Sequence, residues 1–191
     1  MLQLTDSEGH RLLELARSAL EEAVRFGRVS DVRESTEALR TPCGAFVTLT
    51  DRGRLRGCIG HIDAVRPLYI TVRECARAAA LDDPRFDPVS PAELSFLHIE
   101  LSILSPLVDI APEHVEIGRH GLLISRGGRR GLLLPQVAEE WNWNREQFLQ
   151  ETCLKAGLPA DAWQHGARIQ AFTAQIVKEP SAPARSSSTA A

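Results

Sequence analysis

Between residues 5 and 26 the apolar side chains fall at three- and four-residue steps, at Leu12, Leu13, Ala16, Leu20, Ala23 and Val24. That period predicts a helix with one buried stripe. Thr5 and Glu8 have capping-box spacing at its start, and Gly27 stands where a left-handed residue would end it. Residues 28 to 42 have no strong period, and Thr41-Pro42 reads as an extended entry to the next element. From residue 44 the period changes to two. Residues 44 to 50 and 54 to 60 predict a hairpin, with Asp51-Arg52-Gly53 as a three-residue loop and Thr50 opposite Arg54. In that register Ala45 meets Ile59, Val47 meets Gly57 and Leu49 meets Leu55 on an apolar face. Phe46 meets Cys58 and Thr48 meets Arg56 on the other, so Arg56 and Cys58 share the more polar side.

Arg66-Pro67-Leu68 opens a helix to about residue 81, with Leu68, Val72, Cys75, Ala76 and Ala79 on one stripe. Turn formers crowd residues 82 to 93. A strand follows within residues 93 to 104, in which Leu97, Ile99, Leu101 and Ile103 alternate with Phe96, His98, Glu100 and Ser102. A second hairpin spans residues 121 to 134 around Gly127-Gly128, a pair suited to a two-residue turn. Helices are predicted from Pro135 through Trp141 and from Arg145 to Ala156, capped by Asn144 and ended by Gly157. A last strand runs from 168 to 178. Hairpin, helix and strand thus occur twice, and Arg56-Gly57-Cys58 is echoed by Arg130-Gly131-Leu132. The expected fold is α+β: a largely antiparallel sheet flanked by helices, with two unequal subdomains and an internal duplication. Residues 1 to 178 form one domain in this reading, and the Pro/Ala/Ser-rich 179 to 191 a disordered tail.

Composition narrows the function classes. A 43% hydrophobic fraction with 25% charged residues fits a soluble globular chain, and 191 residues suffice for one good core or two small ones. No apolar run approaches a membrane span, and residues 1 to 6 do not read as a secretion signal, so a cytoplasmic location is expected. A net charge of -3 gives no overall field for nucleic acid or anionic membrane, and 5% aromatics supply few stacking platforms, so neither partner is expected. Cys43, Cys58, Cys75 and Cys153 form no C-x-x-C pair, which reads as reduced thiols.

The most unusual stretch is Leu55-Arg56-Gly57-Cys58-Ile59-Gly60. A thiolate is the reactive form of cysteine and a nearby guanidinium favours it, so Cys58 with Arg56 is the candidate catalytic pair. Glu100 or His98 would serve as base if the two polar faces coincide. Gly57 would make room for a covering helix. Gly60 with His61 forms at most a short anion-binding turn, lacking the glycine pattern of a phosphate loop. Cys58, His61, His98, Glu100 and His120 have no diagnostic ligand spacing, so neither metal nor cofactor is expected. Arg85 either fixes a turn or lines a cleft beside Cys58, and Cys153 falls on an apolar helical stripe.

The hexapeptide, together with Asp83-Pro84-Arg85-Phe86, Leu133-Leu134-Pro135-Gln136-Val137 and the run from Thr152-Cys153 through Gly157-Leu158, resembles the AMMECR-type family. Its bacterial and archaeal members are called AmmeMemoRadiSam system protein A, and the resemblance extends to about residue 178. It implies an α+β fold of two unequal subdomains, and association with a radical S-adenosylmethionine enzyme and a Memo-like protein. It implies no settled activity. At His61 relatives usually carry a small hydroxyl residue. The reading favoured is an enzyme or enzyme component acting on a small molecule at Cys58; the alternative is a non-catalytic protein-interaction module.

Overall fold

Thr5 caps the first helix as its spacing predicts: its side chain accepts the Glu8 amide and Glu8 reaches back to the Thr5 amide, while Gly27 ends the helix at φ 67°. The computed structural model describes residues 3–180. Within them lie α1 (Asp6–Phe26), α2 (Glu37–Arg40), α3 (Leu68–Leu81), α4 (Pro135–Glu140) and α5 (Arg145–Lys155). The strands are β1 (Ala45–Asp51), β2 (Arg54–His61), β3 (Leu97–Leu104), β4 (Val108–Asp109), β5 (Gly121–Arg126), β6 (Arg129–Leu133), β7 (Arg168–Phe172) and β8 (Ala174–Lys178). Among the described residues no helix is long and apolar enough to cross a membrane.

The strands form two four-stranded sheets, ordered β2-β1-β3-β8 and β4-β7-β5-β6, with every pairing antiparallel. The chain is therefore α+β as expected, but with two sheets in place of one. Residues 168 to 178, read as a single strand, divide at Thr173 into β7 and β8, which belong to different sheets. The duplication takes a reciprocal form. Hairpin β1–β2 pairs with β3 as hairpin β5–β6 pairs with β7, and each half then gives its next strand to the other: β4 joins β7 and β8 joins β3. Sequence periodicity could not reveal this, because both faces of the break at Thr173 keep the same alternation.

Two cores follow from the two sheets. Leu12, Leu20, Val47, Leu49, Val72, Ile99 and Leu101 close the first between α1, α3 and one sheet face. Leu122, Ile124, Phe148, Leu149 and Ile169 close the second under α5. Each such side chain contributes about 1.5–3 kcal/mol by leaving water. The helix ends press closely on the sheets at two glycines: a Cβ on Gly57 would lie 2.1 Å from the Ala79 carbonyl oxygen, and one on Gly131 would lie 2.3 Å from the Ala156 amide nitrogen. The echo between Arg56-Gly57-Cys58 and Arg130-Gly131-Leu132 is thus a repeated packing device, as was expected of Gly57 alone.

The first hairpin turns on two residues, not three. Asp51 pairs with Arg54, Arg52 and Gly53 have φ 49° and 77°, and a bulge between Leu49 and Thr50 shifts the register. Val47 therefore meets Ile59, Leu49 meets Gly57 and Thr48 meets Cys58, two residues away from the expected pairing. From Val47 to Leu49 a shift of two leaves each side chain on its expected face, but beyond the bulge the shift is one, and Leu55, expected opposite Leu49 on the apolar face, pairs with Thr50 and is 45% exposed. The second hairpin has the expected two-residue turn, at Gly127 and Gly128 with φ 57° and 82°.

Residues 181–191 of the expected tail lie outside the described residues, but Glu179 belongs to the fold. It accepts from Arg17 Nε at 2.9 Å and from the Ile99 amide at 2.9 Å. Arg17 also donates to the Leu94 and Leu97 carbonyls, tying α1, β3 and the end of β8 together.

Candidate functional site

Antiparallel pairing places one row of side chains across the first sheet: Cys58 on β2, Thr48 on β1, Glu100 on β3 and Lys178 on β8. The row lies on the face away from α1 and α3. The polar faces of hairpin and long strand do coincide, and His98 shares that face one pairing further along, opposite Thr50. Thr48 Oγ1 donates to Cys58 Sγ at 3.4 Å. Gly60 has no Cβ because the Phe46 ring occupies that space, 2.2 Å from where a methyl would sit.

β2 is an edge strand, and its outward amide and carbonyl at Cys58 are satisfied by side chains. Cys58 N donates to Asp83 Oδ2 at 2.8 Å, and Arg85 Nη2 donates to Cys58 O at 3.3 Å. Arg85 also forks onto Asp83, with Nε 3.0 Å from Oδ1 and Nη2 2.7 Å from Oδ2. The ion pair so formed stands in for a neighbouring strand and closes an edge that would otherwise invite another chain. Arg85 therefore takes the first of its two expected roles, bonding a carbonyl and a carboxylate, and it does so beside Cys58. The Asp83 side chain is 2% exposed. Its carboxyl is held well below the usual range, first by the Arg85 hydrogen bonds and, against the opposing cost of burial, also by the Cys58 amide. Arg85 is held charged in return, by Asp83 first and with a smaller contribution from Cys58.

Arg56, expected beside Cys58 on the open face, turns instead to the loop before β3. Its Nε donates to Glu93 Oε1 at 2.7 Å and its guanidinium carbon lies 6.0 Å from the Phe86 ring centre, with Arg85 5.5 Å from the same ring. The bulge is the cause, since Arg56 is the residue left without a partner on β1. Arg56 Nη1 is buried without an acceptor. Glu100 and His98 are also poorly placed as bases. Glu100 is bound to Lys178 at 2.8 Å, and two strand spacings, about 10 Å, separate its position from that of Cys58. His98, Glu100, Thr50, Arg52 and Lys178 line a separate cavity of about 340 Å³ on this face. His61 pairs with Ala45 and so faces away from Cys58, which removes the pair as joint ligands; among the described residues no cluster of His, Cys, Asp and Glu could hold a metal.

Cys58 is the one partly exposed thiol of the four. Cys153 belongs to the second core and is fully buried, far from the role of a cleft residue. Burial pushes the thiols of Cys43 and Cys153 up, and that of Cys75 up to about 12. Thr48, Asp83 and Glu93 are the site residues that local sequence patterns did not single out. Only Asp83 carried a signal, through its place in the Asp83-Pro84-Arg85-Phe86 run.

Glu93 offers a test of the Arg56 contact. Its carboxyl is lowered from 4.5 to about 2, by the Arg56 hydrogen bond first and then by the Ser90 amide. A depressed carboxylate stabilises the fold above its unfolded pKa and loses that contribution as pH falls toward the folded value. Between pH 4.5 and about 2, Glu93→Gln is expected to show a shallower fall in urea midpoint than the parent. Parallel curves would mean that Arg56 and Glu93 are not joined in solution.

A paired-sheet α+β architecture, with an edge strand sealed by an Asp–Arg pair beside a half-buried thiol, defines the class of protein. The AMMECR1 family profile matches residues 13–177, and the chain belongs to that family. It is 42% identical over 185 residues to a protein of Methanothermobacter thermautotrophicus, covering 92% of this chain and 96% of that one. A protein of Thermococcus kodakarensis is 44% identical over 200 aligned positions, with 97% and 98% covered. The crystal structure of an uncharacterized protein from Pyrococcus horikoshii superposes with a TM-score of 0.87 at 40% identity, covering 92% of this chain and 93% of its own.

Proposed function

We propose that the protein is an enzyme, or a component of one, that handles a small molecule at Cys58 on the open face of the first sheet. In this reading it works with a radical S-adenosylmethionine enzyme and a Memo-like protein, a partnership that rests on the family resemblance. The observation that carries the proposal is convergence. Two separate sequence runs, Leu55 to Gly60 and Asp83 to Phe86, meet around the one thiol that is not buried. Thr48 donates a hydrogen bond to that sulfur, and Arg85, paired with Asp83, is fixed on the carbonyl of the same residue, so a charged group that could orient a substrate stands next to a candidate nucleophile. Glu100 and His98 stand on other strands than Cys58, so in this reading a substrate group, a partner residue or solvent takes the thiol proton.

With iodoacetamide under native, mildly alkaline conditions, Cys58 is expected to be alkylated at least about tenfold faster than the other three thiols, which are buried and disfavoured as thiolates. Equal labelling of all four by peptide mass mapping would defeat the reading. A folded Cys58→Ser variant should lose turnover found by untargeted metabolite profiling, with and without the presumed partners, while still binding them. The second reading, an interaction module, draws on Leu55 and Ile176, exposed at 45% and 38% on the same face. There Leu55→Asp would abolish partner binding and Cys58→Ser would change nothing.

A further inference from the structure

Away from the first sheet's open face, α3 carries an arginine in an unusual position. Arg73 is only 6% exposed. Its Nη2 donates to the Ser30 carbonyl oxygen, its Nε is buried with no acceptor, and no carboxylate among the described residues comes within ion-pair distance. The neighbouring charges on the helix are engaged elsewhere: Glu74 pairs with Arg66 and Arg77 with Asp82. Glu22, the acid whose charge Arg73 influences, is turned to the Ser30 amide at 2.7 Å and to Ser18 Oγ at 2.9 Å. A guanidinium has five N–H donors in a planar fork, and this one uses a single neutral acceptor. A buried cation left unpaired is costly, and an oxyanion with two acceptor atoms is the partner that fits the fork.

Arg73 lines a cavity of about 210 Å³, closed on one side by Val29, Ser30 and Asp31 and on the other by the stripe Ile70, Arg73, Glu74 and Arg77. Val29 and Ile70 give it apolar wall, and Asp31 and Glu74 add negative charge to the lining. Arg73 and Arg77 balance that charge for a single carboxylate, whereas a dianion such as phosphate would meet about twice the repulsion from Asp31 and Glu74 and would leave the apolar wall uncovered. We propose that this cavity binds a small aliphatic monocarboxylate, its head on Arg73 and its chain against Val29 and Ile70. The site is independent of Cys58 and of the activity proposed there.

Sodium butyrate is the probe, titrated into the whole protein at constant ionic strength made up with sodium chloride. Melting temperature should rise saturably with butyrate, by about 5–11 °C at a hundred times the dissociation constant, and by less with inorganic phosphate. Arg73→Met should weaken butyrate at least about tenfold. Because removal of a buried arginine can disturb folding, Ile70→Trp fills the same space without changing charge and should abolish the rise. Asp31→Asn should narrow the gap between phosphate and butyrate. A butyrate response no larger than that of chloride, or one that survives in Ile70→Trp, overturns the proposal; so does a stronger response to phosphate than to butyrate.

Discussion

Gly57→Ala will lower the melting temperature by about 6–12 °C, corresponding to about 3 kcal/mol of overpacking in a chain of this size. The added methyl would sit 2.1 Å from the Ala79 carbonyl oxygen. That atom is backbone at the end of α3, so no rotamer change relieves the clash; helix and strand must separate, loosening the first core between them. Gly131→Ala should behave alike, its methyl meeting the Ala156 amide nitrogen at 2.3 Å. Gly9→Ala is the control. Its methyl meets only the Val177 side chain at 3.1 Å, and helix propensity gains about 1 kcal/mol in compensation. Melting curves of all three settle the point, and a Gly57→Ala protein as stable as Gly9→Ala would show that α3 does not press on β2 as described.

Asp83→Ala should cost about 2–3 kcal/mol, from the acceptor lost to two amides, those of Cys58 and Arg85, and one broken charge pair. The upper figure is restrained because the Arg85 side chain is 52% exposed and water can take over part of its solvation. Asp83→Asn keeps an acceptor for the Cys58 amide and should lose less than half as much. Acid acts in the same direction as the alanine variant. The Asp83 carboxyl is depressed in the fold, so its contribution is present above the ordinary carboxylate range and disappears as protons are forced onto it. The loop should also detach from the edge of β2. Faster alkylation of Cys58 and concentration-dependent association are therefore expected with the alanine variant, and unchanged values for both would mean that the loop is held by other contacts.

The helices and most strand positions were readable because burial imposes a period and the caps carry their own residue types, as at Thr5, Gly27 and Asn144. Parity was readable too, but it fixes a register only to a multiple of two. The turn itself was misjudged because Arg52 takes a positive φ, 49°, that a side chain of its kind seldom adopts. The resulting bulge redirected Arg56, and the candidate site lost its expected activator. The arginine that does contact Cys58, Arg85, reaches it only through tertiary folding, and the sequence carried that proximity as family resemblance rather than as period or spacing. Glu100 illustrates the same limit from the other side. Its face was predicted, yet the strand between it and Cys58 puts it out of reach.

The exchange of strands between the halves has a consequence for biosynthesis. β3 leaves the ribosome with the first half of the chain, but β8, which pairs with it, is translated some seventy residues later. Until then the apolar strand Leu97–Leu104 keeps an unpaired edge, the kind of surface that recruits neighbouring nascent chains. A polysome crowded with this message would carry many such edges at once, making the interval before the last strand emerges the hazardous part of the protein's life.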